Sequence, residues 1–141
     1  MSHISSILNS LLEGTGASRV TLREDLPGDD FFPVTDEALR PGVASLREER
    51  TVDLRSQPVV RELRQGRQVV QNDCRAALAD PAFLCMLETY GGLAAQIVTP
   101  IFLAGQLRAI VSVHQLGEAR VWSAREIELA TSAADAVGQR L

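Results

Sequence analysis

The chain of 141 residues contains no lysine, so each of its 14 cations is an arginine. Arginine keeps its charge at any cellular pH and offers a planar fork of donors, which suits carboxylate and phosphate partners. These cations are outnumbered by 18 Asp and Glu, for a formal charge of −4. That balance argues against a nucleic-acid binder, which needs a clustered basic excess. Cysteine is scarce, with Cys74 and Cys85 alone and no C-x-x-C spacing. Two thiols without an export signal point to reduced cysteines and not to a disulfide framework. His3 and His114 are the only histidines, too few to complete a metal site with those thiols. Long apolar runs are missing as well; Ile101-Phe102-Leu103-Ala104 is far too short to cross a bilayer. Met1-Ser2-His3-Ile4 lacks the basic start of a targeting segment. The expectation is a soluble, cytoplasmic protein that contacts neither membrane nor nucleic acid.

What is present suits one core. Hydrophobic residues make up 45% and charged residues 23%, the balance of a globular chain, and the length fits a single domain over 1–141. Residues 2–13 read as a helix, with Ile4, Ile7, Leu8, Leu11 and Leu12 at helical spacing and Gly14 as its stop. Residues 17–24 alternate as a strand: Ser18, Val20 and Leu22 point one way, Arg19, Thr21 and Arg23 the other. Residues 25–54 form a long loop rich in Pro, Gly and charge, with short strands expected at 43–46 and 51–54. Its Phe31-Phe32-Pro33 cluster is apolar in polar surroundings, and long loops of this kind carry function.

Ser56 is expected to cap a short helix to Gln65, with Pro58 in its first turn. A short strand follows at 68–72. Asp80-Pro81 opens another helix that closes at Gly91-Gly92. Strands at 93–103 and 106–115 form a hairpin around Ala104-Gly105. Ser123-Ala124-Arg125-Glu126 is a capping box. The helix after it carries Ile127, Ala130, Ala134, Val137 and Leu141 in a narrow seam of small residues that suits a partner helix. Strands mixed with flanking helices indicate an α+β fold with a mainly antiparallel sheet.

This order resembles the GAF family of sensory modules. Gln96-Ile97-Val98-Thr99-Pro100-Ile101 is similar to the strand carrying the family's "VPI" segment. Gly105-Gln106-Leu107 resembles its hairpin, and Val111-Ser112-Val113-His114 the strand after it. Arg120 to Leu129 resembles the approach to its last helix, and Thr15-Gly16-Ala17-Ser18-Arg19-Val20 its first strand. The resemblance implies a GAF-like, PAS-like central antiparallel sheet. The terminal helices would pack on one face, and loops and short helices would cover a pocket on the other. It also implies a cytoplasmic, regulatory role in signal transduction. Since no output domain is recognisable in the chain, a separate output protein or simple sequestration of the ligand is expected.

The family also contains enzymes, the free methionine-R-sulfoxide reductases, which use thiolates in this pocket. Cys74 and Cys85 invite the comparison, but the third cysteine of those enzymes has no counterpart. Cys85 also points away from the apolar face formed by Phe83, Met86, Leu87 and Tyr90. Bilin-binding members attach their chromophore to a cysteine often followed by histidine, whereas Met86 follows Cys85. No catalytic residue, cofactor or metal is therefore expected.

Parity then nominates a ligand site. If Val20 and Leu22 face the helices, Arg19, Thr21 and Arg23 face the pocket side, and buried arginine calls for an anion or hydrogen-bonded acceptors. On the hairpin strand, Leu107, Ala109, Val111 and Val113 pair with the helix side, while Arg108, Ile110, Ser112 and His114 line the other. Asp73, Arg75 and Tyr90 join as candidates, with Phe31 and Phe32 as apolar cover. The leading expectation is a module that binds a small, anionic ligand and acts as a homodimer through its terminal helices. The alternatives are a ligand-free dimerisation domain and the cysteine-based reductase.

Overall fold

The computed structural model describes residues 2–29 and 31–141. Met1, at the start of the chain, and Asp30, in the expected long loop, lie outside the described residues. Helix α1 (His3–Thr15) begins where the Ser2 hydroxyl accepts a hydrogen bond from the Ser5 amide. It ends at Gly16, whose φ of 64° allows the left-handed cap. Gly14, expected to be the stop, lies inside the helix, where a Cβ would stand 3.0 Å from Leu129. Strands β1 (Arg19–Glu24) and β2 (Val34–Leu39) follow, then a 3-10 turn (Leu54–Ser56) and helix α2 (Pro58–Arg64). After these come β3 (Val69–Gln71), α3 (Cys74–Ala77), α4 (Pro81–Thr89), β4 (Leu93–Leu103), β5 (Gln106–Leu116) and α5 (Ala124–Gly138).

The strands form one antiparallel sheet in the order β2-β1-β5-β4-β3. The β4–β5 hairpin turns on Ala104 and Gly105, both at positive φ, which gives the tight reversal that matches strand twist. Terminal helices α1 and α5 lie together on one face. There Leu8, Leu11, Leu12, Ala130, Ala134 and Val137 pack on Val20, Leu22, Ile97, Val111 and Val113. The capping box opening α5 is complete, because Ser123 accepts from the Glu126 amide and Glu126 from the Ser123 amide. A second core covers the other face, with Phe32, Leu63, Phe83, Leu87 and Tyr90 packed on Val98 and Ile110.

Several boundaries differ from the sequence reading. No strand forms at 43–46 or 51–54. The strand in this stretch is β2, whose Asp36 and Glu37 give it weak intrinsic β preference; pairing with β1 decides its state. Gln57, not Ser56, precedes the first turn of α2, because Ser56 is spent in the 3-10 turn before it. Helix α3 was not expected; Asp73 caps it by accepting from the Ala76 amide. Leu107 belongs to the second core and not to the helix side. Arg108 has no partner across β4, where Ile101 pairs Ala109 and Phe102 pairs Leu107, and this bulge reverses the alternation beyond it.

Candidate functional site

The second face of β1 and β5 is polar at its centre. Cross-strand register sets Arg19 opposite His114, Thr21 opposite Ser112 and Arg23 opposite Ile110. Arg19 is 0% exposed and Arg23 5%, so both guanidinium groups lie beneath the loops that cover the sheet. Arg19 donates from Nε and Nη2 to His114 Nδ1 (3.1 and 3.0 Å), from Nη1 to the Ala44 carbonyl (3.0 Å) and from Nη2 to the Tyr90 carbonyl (2.8 Å). Glu37 holds the Ala44 segment in reach by accepting from Ser45 and from the Leu46 amide.

Arg23 is less committed. It donates from Nη1 to the Phe32 carbonyl (3.0 Å) and from Nη2 to the Tyr90 hydroxyl (3.1 Å). That uses two of the five N–H groups a guanidinium carries. Phe32 stands at φ 53°, a conformation a bulky residue seldom adopts. Its ring is buried in the second core. Phe31, expected to share this cover, is 40% exposed beneath Arg50 instead.

Among the described residues neither buried arginine forms an ion pair; their acceptors are neutral. Burial lowers the Arg19 pKa to about 10, with Glu37 opposing that shift through space. Burial, reinforced by the two arginine charges, holds His114 well below the ordinary histidine range. The imidazole is therefore neutral, and because Nδ1 accepts from Arg19 the proton is assigned to Nε2. Burial also raises the Tyr90 hydroxyl, so it stays a proton donor. Its ring lies 6.0 Å from that of His114 in a stacked arrangement.

These groups surround a small, partly enclosed cavity of about 40 Å³ between the sheet and α2, lined by Arg23, Gln57, Tyr90, Gln96, Ser112 and His114 with apolar residues of α2, α4 and β4. Of the residues nominated from sequence, Arg23, Tyr90, Ser112 and His114 meet here. Arg19 braces His114 from the side, and Thr21 is buried on the same face with its hydroxyl unpartnered. Asp73 and Arg75 stand apart from this cavity. Asp73 is exposed as the α3 cap, and Arg75 is exposed and paired with Glu88.

Gln57 was missed. Its side chain turns inward with Oε1 unpartnered instead of capping α2, and no spacing in the sequence marks that orientation. Neither thiol lines the cavity: Cys74 is buried in the second core and Cys85 is exposed. Wider grooves lie elsewhere. One of about 620 Å³ runs between α2 and β3 past Arg61 and Arg67, but it is open to solvent and lacks buried polar groups.

The GAF domain family model matches residues 4–141. The chain belongs to the GAF domain family. Among curated proteins, none matches this GAF domain in sequence. Solved structures do match in fold. The phycocyanobilin-bound GAF domain of a cyanobacterial phytochrome is 19% identical, with a TM-score of 0.75 over 96% of this chain and 82% of its own. The blue-light-absorbing PixJ GAF domain of Thermosynechococcus elongatus is 24% identical, at 0.72 over 97% and 86%. A GAF domain of Synechocystis in its photoproduct state is 18% identical, at 0.73 over 97% and 92%. At these identities the likeness carries the fold and not the ligand.

Proposed function

We propose that this GAF domain is a sensory module for a small anion, held by Arg23 in the cavity behind the sheet. The observation that carries this reading is the Arg23 guanidinium. It is buried, faces the cavity, has unused donors and, among the described residues, has no carboxylate paired to it. A buried cation in this state gains most from an anion that enters with it. The neutral His114 and the protonated Tyr90 add further donors beside it. Arg19 serves as a brace, because Nε, Nη1 and Nη2 all already donate.

The chromophore of the phycocyanobilin-bound neighbour does not fit these residues. A cavity of about 40 Å³ is roughly an order of magnitude below the 300–1,000 Å³ of sites for large ligands. Neither cysteine reaches it. The same placement removes support for a cysteine-based reductase.

Occupancy would be reported through the terminal helices to a separate output protein, with the domain acting as a homodimer. The seam expected to face a partner is spent inside the chain, since Ala130, Ala134 and Val137 pack on the sheet and on α1. Support for the dimer rests instead on Ile7 and Leu129, half-buried along an outer groove of about 380 Å³ between α1 and α5.

Thermal unfolding with increasing small monoanions such as formate, acetate and nitrate tests the anion reading. A ligand at 100 times its Kd stabilises by about 2.7 kcal/mol. That gain should appear for at least one anion and vanish in Arg23→Gln. Equal stabilisation of wild type and variant by every anion would overturn the reading.

A further inference from the structure

The cavity contains a mismatch that a bare anion does not resolve. Arg23, His114 and Tyr90 carry donors at its wall, and Gln57 adds an amide whose Oε1 has no partner to accept from. Gln57 is 4% exposed, lines the cavity and has its Oε1 buried without a partner. A buried acceptor left unpaired is destabilising, because it has given up its hydrogen bond to water and gained none in return. The side chain is not held there by capping duty, because it makes no cap bond to α2. The residue sits at the junction of the 3-10 turn and α2, whose Leu54, Val59, Val60 and Leu63 pack over the same cavity. Its position is therefore fixed by packing on both sides.

Resting on the anion reading above, we propose that Gln57 sets ligand specificity, and that the site takes a small oxyanion which carries its own O–H or N–H donor. The anionic oxygen faces Arg23 and the donor faces Gln57 Oε1. Size narrows the class further. About 40 Å³ is space for little more than one or two waters, so the site suits a molecule of a few heavy atoms. Bicarbonate and short hydroxycarboxylates such as glycolate have this shape and both functions. Nitrate has the charge and planarity of bicarbonate without its O–H. Propionate has the carboxylate and length of glycolate, with a methyl in place of the hydroxyl.

Isothermal titration calorimetry of the intact protein with these two matched pairs separates the possibilities. Wild type should prefer bicarbonate over nitrate and glycolate over propionate by about tenfold, the value of one hydrogen bond to a buried acceptor. Gln57→Leu should erase that preference while anion binding through Arg23 remains. Gln57→Met, checked for an unchanged unfolding temperature, provides the same test should leucine perturb packing. Equal affinity within both pairs in wild type overturns the specificity proposal and leaves the anion reading standing. No binding by any of the four anions removes both.

Discussion

Arg19 and Arg23 occupy the same face of β1, and their surroundings assign them different tasks. Arg19 meets acceptors from three separate segments, at Ala44, Tyr90 and His114. Removing it strands those buried acceptors, so Arg19→Met should cost about 1–3 kcal/mol of stability, read as a lower urea midpoint at unchanged slope. Arg23→Gln should cost less stability and more ligand. His114 gives a pH test. Its folded pKa is depressed by burial and by the two arginines. The unfolded chain therefore takes up a proton below about pH 6.5 that the folded chain does not. Stability should fall as pH drops from about 6.5 to 5, and His114→Gln should flatten that slope. Cys74 titrates in the opposite sense. Burial raises it to about 12, so stability should decline as pH climbs from about 9 toward 12. In the folded protein, alkylation should mark the exposed Cys85 and spare Cys74.

At the scale of elements, the parts legible in the sequence are those whose signals are local. Ser123 with Glu126, Asp80 with Pro81, and Ala104 with Gly105 each carry their own geometry, and α5, α4 and the hairpin begin or turn at those residues. Ser123→Ala should therefore destabilise by about 1 kcal/mol, measured by chemical denaturation. β2 was not legible, because Asp36 and Glu37 disguise a strand that exists only through its pairing with β1. The site was half legible. Alternation along β1 and β5 brought Arg23, Ser112 and His114 to one face. Beside the His114 ring and the Tyr90 hydroxyl, the partners of the arginines are carbonyl oxygens from residues 32, 44 and 90, and a backbone carbonyl leaves no trace in side-chain type. Gln57 was hidden for a related reason: its role depends on the direction of a side chain at a turn. Leu107 shows the limit of alternation, since a single bulge at Arg108 moved it to the other core.

The whole molecule is a sheet with two different faces. The helical face is filled by its own apolar residues, whereas the other combines an apolar cover with a charged centre beside a small cavity. No helix among the described residues is long and apolar enough to cross a membrane. Sedimentation at micromolar concentration should show two copies, and Ser132→Arg, exposed on the same outer groove, should yield monomers of unchanged fold.

The central claim is that Arg23 receives the ligand while Arg19 braces the site, and NMR of the arginine side chains reads the two separately. During titration with a small oxyanion, the Arg23 Nε–Hε signal should shift and saturate while the Arg19 signal holds nearly still. A saturable shift at Arg19 with none at Arg23, or only linear drifts shared with surface arginines, would contradict the account.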